Sequence, residues 1–224
     1  MNGRDLILGR IREALQTPAP RPHASDVPHS GRETPRDWLP HVGETHEEQC
    51  ALFRANAESL RASFHEVAST EEVTRILGRL AAEEGWKRIA THRHALLASV
   101  LKGLGGIGVF HTDAGYDRSI LEGCDAGLTT CEALVAQTGS VLVSSATNGG
   151  RALSVLPPHH IVLARQHQLV ADLPAAFSHA HASLATDRPS MLSFITGPSR
   201  TGDIERILVL GAHGPKKLTI LMLP

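Results

Sequence analysis

The sequence predicts an α/β domain with a mainly parallel sheet flanked by helices, preceded by an N-terminal helical appendage. Three observations carry this. Short apolar runs bounded by Gly, Asn, Pro or His recur from residue 87 onward, helix-periodic segments fit between several of them, and two capping signatures open the ordered part of the chain. Buried strands alternating with helices mark a sheet covered on both faces. A chain of 224 residues can be filled by one such core plus an appendage, and the change of texture divides it into 1–43 and 44–224.

The elements follow in chain order. Leu6, Ile7, Ile11, Ala14 and Leu15 recur at helical spacing with Arg4, Arg10, Arg12 and Glu13 opposite them, so residues 3–15 read as an amphipathic helix. Residues 17–43 carry Pro18, Pro20, Pro22, Pro28, Pro35 and Pro40 and almost nothing apolar to bury, the composition of a linker without regular structure. Thr45 with Glu48 forms a capping box ahead of Leu52, Phe53, Ala57, Leu60 and Phe64, and Ser69 with Glu72 repeats it ahead of Val73, Ile76, Leu77 and Leu80. Gly85 sits where the second helix should stop. Strands are expected at 88–91, 107–110, 140–144, 160–164, 192–196 and 218–223, and helices around 95–101, 130–136 and 173–184. Residues 204–210 read as helix at the start and strand at the end.

Composition excludes several classes of function. With 42% hydrophobic and 20% charged residues and a formal net charge of -1, the chain offers no electrostatic reason to bind nucleic acid or an anionic membrane. Its longest apolar runs, such as 161–164 and 220–223, are far too short for membrane insertion, and the N-terminus lacks the apolar run of a signal peptide, so a cytoplasmic protein is expected. Cys50, Cys124 and Cys131 form no CxxC pair, which argues against a disulfide framework, a zinc ribbon or a self-held iron-sulfur cluster. No resident cofactor or metal is expected; a redox group would belong to a partner. GxSxG, HExxH and Walker motifs are all missing from the sequence.

In open parallel sheets ligands bind beyond the carboxyl ends of strands, so polar, glycine-rich loops next to strands are the candidates. The first runs Thr196-Gly197-Pro198-Ser199-Arg200-Thr201-Gly202-Asp203, offering hydroxyls, backbone N–H groups and one guanidinium to a phosphate or carboxylate. Ser199 or Thr201 would serve equally as a helix N-cap, with Arg200 a surface charge. The second spans 125–132 and leads to Thr138, Gly139 and Ser140, where Gly139 could let backbone approach a ligand; Thr129 and Thr130 could instead be caps. The third, Asn148-Gly149-Gly150-Arg151, reads as a polar loop or a simple turn. His213, in a glycine-rich loop, is a candidate functional imidazole, although a solvated turn histidine looks the same. Adjacent His159 and His160 suit a metal poorly, because successive strand side chains point to opposite faces. Residues 138–140 and 196–203 are expected to line one pocket, with Arg200 the main counter-charge and His213 close by.

Residues 125–145, 157–163 and 195–223, above all Ile195-Thr196-Gly197-Pro198-Ser199-Arg200-Thr201 continuing to Gly211 and His213-Gly214-Pro215, resemble the lactate utilization protein C family of the lactate utilization (LUD) domain group. The resemblance implies a Rossmann-like fold similar to the sugar-isomerase and CoA-transferase superfamily. It also implies a part in oxidising L-lactate to pyruvate alongside iron-sulfur partner proteins. Relatives often carry an acidic residue before Thr-Gly-Thr, whereas here Gln137 precedes Thr138, so a catalytic carboxylate is not at that position. The leading reading is an accessory component that binds a small anionic metabolite. An autonomous enzyme acting on a phosphorylated or CoA-linked metabolite, and a pure assembly factor, are the alternatives.

Overall fold

The computed structural model describes residues 3–16, 41–113, 115–183, 189–201, 209–211 and 213–224. The chain divides into two units, 1–39 and 40–224. In the first, α1 spans Gly3–Gln16. Most of the proline-rich stretch, residues 17–40, lies outside the described residues, as does the helix start expected at Ile204.

The second unit opens on α2 (His46–Ser59), closed at its N-terminus by the expected reciprocal cap: Glu48 N–H donates to Thr45 Oγ1 at 3.2 Å and Thr45 N–H to Glu48 Oε2 at 3.0 Å. Leu60 and Phe64, which fit the same helical spacing, do not continue it. Leu60 is the C-cap, Arg61 takes a positive φ of 66°, and the chain leaves as a strand, β1 (Ser63–Glu66), in which Phe64 meets Phe53 edge-on at 5.0 Å. Ser69 then caps α3 (Thr70–Glu84), and Gly85 ends it in the left-handed conformation. Five elements follow, β2 (Arg88–Thr91), α4 (Ala95–Leu101), β3 (Gly108–His111), α5 (Arg118–Glu122) and β4 (Ala126–Thr129), alternating strand with helix up to the centre of the sheet.

After β4 the structure departs from the expected helix at 130–136. That segment holds β5 (Ala133–Val135), paired antiparallel with β6 (Ser140–Ser144). The physical reason is that β5 is covered on both faces: Leu134 enters one core, Ala133 and Val135 another, so its period of two is hidden by uniform apolarity. The chain continues through β7 (His159–Arg165), a single 3-10 turn (Gln166–Gln168), β8 (Leu169–Val170), α6 (Leu173–Ser183), β9 (Leu192–Ile195), the short β10 (Arg200–Thr201) and β11 (Val209–Leu210), and β12 (Lys217–Leu223).

The central sheet has the order β1-β12-β7-β4-β2-β3, and every pairing in it is parallel. A second sheet, β8-β5-β6-β9, is mostly antiparallel, so strands 140–144 and 192–195 sit outside the parallel sheet to which they were assigned from sequence. Alternation along β7 shows how the layers join. Ile161 and Leu163 face α3 and α4 with Val73, Leu77 and Leu97, while Val162 and Ala164 face α2 and the second sheet with Phe53, Val141 and Ile220. The outer face of the second sheet is closed by Ala176 and Ala180 of α6.

Candidate functional site

Chain order within the central sheet reverses between β2 and β4: the chain steps outward from β2 to β3, then returns across β2 to β4. A crevice opens outside the carboxyl ends of strands at such a switch point. Here it is a cleft of about 840 Å³, lined by His92, Arg93 and His94 after β2, Thr112 and Asp113 after β3, Thr130 and Glu132 after β4, Arg165 at the end of β7, and the loop 145–150.

A chain of hydrogen bonds sets the floor. Ser144 N–H donates to Asn148 Oδ1 at 2.7 Å, Asn148 Nδ2 donates to Thr130 Oγ1 at 3.0 Å, and Thr130 N–H donates to His92 Nε2 at 3.3 Å, with the Thr130 hydroxyl 3.2 Å from the same nitrogen. Because a backbone N–H can only donate, Nε2 is an acceptor and the proton of the neutral ring resides on Nδ1. Burial, with His94 adding to it, pushes His92 down to about 4, so the ring is uncharged at neutral pH. Replacing Asn148 with Ala should cost about 1–3 kcal/mol in a urea titration, because it strands the buried Ser144 N–H and frees Thr130; an unchanged unfolding free energy would show that the network does not hold the loop.

The acidic groups of the cleft are internally committed. Both oxygens of Asp113 accept from Arg93 N–H, at 3.0 and 2.9 Å, and Glu132, largely buried, accepts from the Thr147 hydroxyl. Thr112 Oγ1 donates to Gly149 O at 2.8 Å, pinning loop 145–150 over β3. Arg165 Nη1 donates to Pro224 O at 3.0 Å. Among the described residues the Arg93 side chain has no hydrogen-bond or carboxylate partner, which leaves it as an available cation of the cleft.

The residues singled out from sequence are distributed differently. Thr196, Gly197, Ser199, Arg200 and His213 line a second cavity of about 330 Å³, which among the described residues shares none with the lining of the main cleft. Thr138, Gly139 and Ser140 do not line it. They reach it through hydroxyls: Thr138 Oγ1 donates to Ser140 Oγ at 2.7 Å, and Ser140 Oγ lies 2.8 Å from Thr196 Oγ1. The two segments meet because β6 begins where its antiparallel neighbour β9 ends. Gly139 lies against α2, where Asn56 Nδ2 donates to Ala136 O and Gln137 O. Ser199 N–H is bound to Pro215 O, so it offers no free donor to an anion; Thr201 pairs with Val209 in β10–β11, and Asp203 lies outside the described residues.

Of the other loops, 148–150 enters the main cleft while Arg151 turns away to Ser190 O at 2.8 Å. His159 and His160 do point oppositely, His159 to Glu84 and Thr219, His160 to Thr129. His92, Arg93, Asp113 and Arg165 were missed from sequence. The signal for the first two was present: His92-Arg93-His94 directly follows the strand at 88–91, where the carboxyl-end rule applies.

Comparison with known proteins bears on this geometry. The LUD domain family model matches residues 50–223. The chain is similar to Lactate utilization protein C of Deinococcus radiodurans, 33% identical over 118 residues that make up 52% of this chain and 55% of the relative. It is also similar to the protein of that name from Shouchella clausii, 38% identical over 94 residues, 42% of this chain and 41% of the relative. The chain thus spans about half the length of these curated relatives, whereas the match to Lactate utilization protein C of Geobacillus thermodenitrificans, 24% identical, covers 99% of this chain and 96% of the relative. Among solved structures, a DUF162 family protein from Deinococcus radiodurans superposes with a TM-score of 0.62 at 19% identity, covering 81% of this chain and 100% of that one, a likeness of fold.

Proposed function

The chain belongs to the LUD domain family, and from that premise we propose that it serves lactate utilization as an accessory component, holding a small anionic metabolite in the main cleft while iron-sulfur partner proteins carry the electrons. The observation that carries the ligand reading is the cleft itself: it lies at the switch point of the parallel sheet and sets a free guanidinium, Arg93, beside a neutral imidazole, His92. Arginine holds a carboxylate through paired charge-assisted hydrogen bonds, and an uncharged imidazole adds polarity without repelling a cationic partner or neutralising the anion. The names of the relatives supply the metabolic context.

Partner-held clusters fit the cysteine chemistry. Cys50, Cys124 and Cys131 are all buried, and burial pushes each thiol up, Cys50 to about 11, which opposes the thiolate form that iron-sulfur ligation requires. Calorimetric titration of the full chain with L-lactate and pyruvate should show saturable binding, and Arg93→Ala should weaken it about tenfold to a hundredfold. Binding of nucleotides or acyl-CoA in place of these acids would favour the autonomous-enzyme alternative. Lactate-dependent dye reduction by the purified chain alone would end the accessory reading.

A further inference from the structure

The second cavity is lined by a buried polar group that has no partner among the described residues. His160, on β7, is 1% exposed; its Nε2 lies 2.9 Å from Thr129 Oγ1, and its Nδ1 is buried with no hydrogen-bond partner among the described residues. The Thr129 hydroxyl is fully buried, and His160 is its one partner among the described residues. Were Nε2–H the donor, the buried Thr129 hydroxyl hydrogen would stay idle whatever filled the cavity; with Thr129 donating to Nε2, the one donor left over is the Nδ1–H, on a ring that lines the cavity, and it is this tautomer that a ligand can satisfy. Native folds satisfy nearly all such donors, and one that is not satisfied internally marks a place where something else binds.

That ring forms part of the wall of the 330 Å³ cavity, together with Arg200 and His213 and the apolar side chains of Val155, Ile195 and Leu218. We propose that this cavity is a ligand site separate from the main cleft, built for a short-chain monocarboxylate whose carboxylate pairs with Arg200 and whose oxygen accepts the Nδ1 hydrogen of His160. The cavity has room for a small ligand, and one guanidinium and one neutral N–H set among apolar side chains suit one charged end on a short hydrocarbon, with the hydroxyls of Ser154, Ser193 and Ser199 also in the wall. Phosphate fits less well. It presents acceptors on every side, whereas the Ser199 N–H that might have cradled it is spent on Pro215 O. The site also stands apart in sequence logic: Thr129 holds His160 on this side of β4, and the next residue, Thr130, holds His92 on the other.

The test uses the full chain labelled with ¹⁵N-histidine, titrated separately with acetate, L-lactate and inorganic phosphate while the His160 Nδ1–H resonance is followed. Acetate and L-lactate should shift it saturably. Arg200→Ala should weaken that response about tenfold to a hundredfold, Arg200→Lys should restore part of it, and Arg93→Ala, in the main cleft, should leave it in place. A resonance unmoved by either acid would mean that only water fills the cavity, and would overturn the proposal. So would an equal response to phosphate, or a response lost in Arg93→Ala and kept in Arg200→Ala. Failure here leaves the main-cleft reading standing, because that reading is measured by the Arg93 dependence of total binding.

Discussion

Lowering the pH from about 7 to about 5 is expected to remove roughly 4 kcal/mol of folding stability, through two histidines that the fold keeps neutral. In the unfolded chain both would titrate at the ordinary value of 6.5; in the folded chain burial holds His92 down to about 4 and His160 to about 3. Between those values the unfolded state binds protons that the folded state refuses, so stability is complete above about pH 6.5 and falls as the pH drops, each histidine contributing about 1.4 kcal/mol per pH unit. The loss stops for each group once its folded value is passed. His159, also lowered by burial despite Glu84 beside it, acts in the same direction. Carboxylates held low, such as Glu48 and Asp117, titrate below this window and do not contribute to it. Urea titrations at the two pH values measure the difference directly. His160→Leu should remove about half of the slope even though it loses stability at neutral pH by stranding the Thr129 hydroxyl. Equal unfolding free energies at both pH values would mean that the two rings are not buried as neutral groups.

The parts of the fold that were legible in the sequence are those decided locally. Thr45 with Glu48 and Ser69 with Glu72 announce helix starts because the same side chains that satisfy the first N–H groups are polar, spaced by three and followed by an apolar stripe. Phe64 misled for the opposite reason. It stands four residues after Leu60, a spacing that suits a helix, and only the reversal at Arg61, which a sequence pattern does not show, turns it onto β1. The segment 133–135 misled because burial on both faces erases the alternation that would mark a strand. Sheet membership was less legible still. Whether 140–144 joins the parallel sheet or a second one depends on partners 48 to 54 residues away, since β6 pairs with β9.

The site followed the same division. The rule that ligands gather at strand carboxyl ends points to the cleft and leads to His92 and Thr130, each the first residue beyond its strand. Composition drew attention instead to hydroxyl-and-glycine loops. Loop 196–200 does line a cavity, yet its backbone is partly spent on pairing with residues 211 and 215. Hydroxyls and glycines mark tight packing as readily as they mark ligand contact, and only long-range geometry separates the two.

Gly139 is where that ambiguity becomes measurable. Gly139→Ala is expected to cost roughly 2–5 kcal/mol, the sum of about 1–2 for a left-handed backbone and about 1–3 for overpacking. Its φ is 65°, and a methyl group there would lie 2.6 Å from Ala57 N and 2.8 Å from Asn56 C. Those are backbone atoms of α2, and they cannot easily retreat: Ala57 is fully buried, and Asn56 Nδ2 is tied to Ala136 O at 2.9 Å and Gln137 O at 3.0 Å. Gly150 supplies the control, because its φ of 89° is also left-handed but a methyl group would meet nothing within 4 Å. Gly150→Ala should therefore cost only about 1–2 kcal/mol, the backbone contribution alone. If the two substitutions prove equally costly by urea titration, the contact with α2 is not what requires glycine at 139. If they differ as expected, loss of function in Gly139→Ala follows from a loosened α2, and acid binding measured on the folded fraction should remain near that of the unaltered chain.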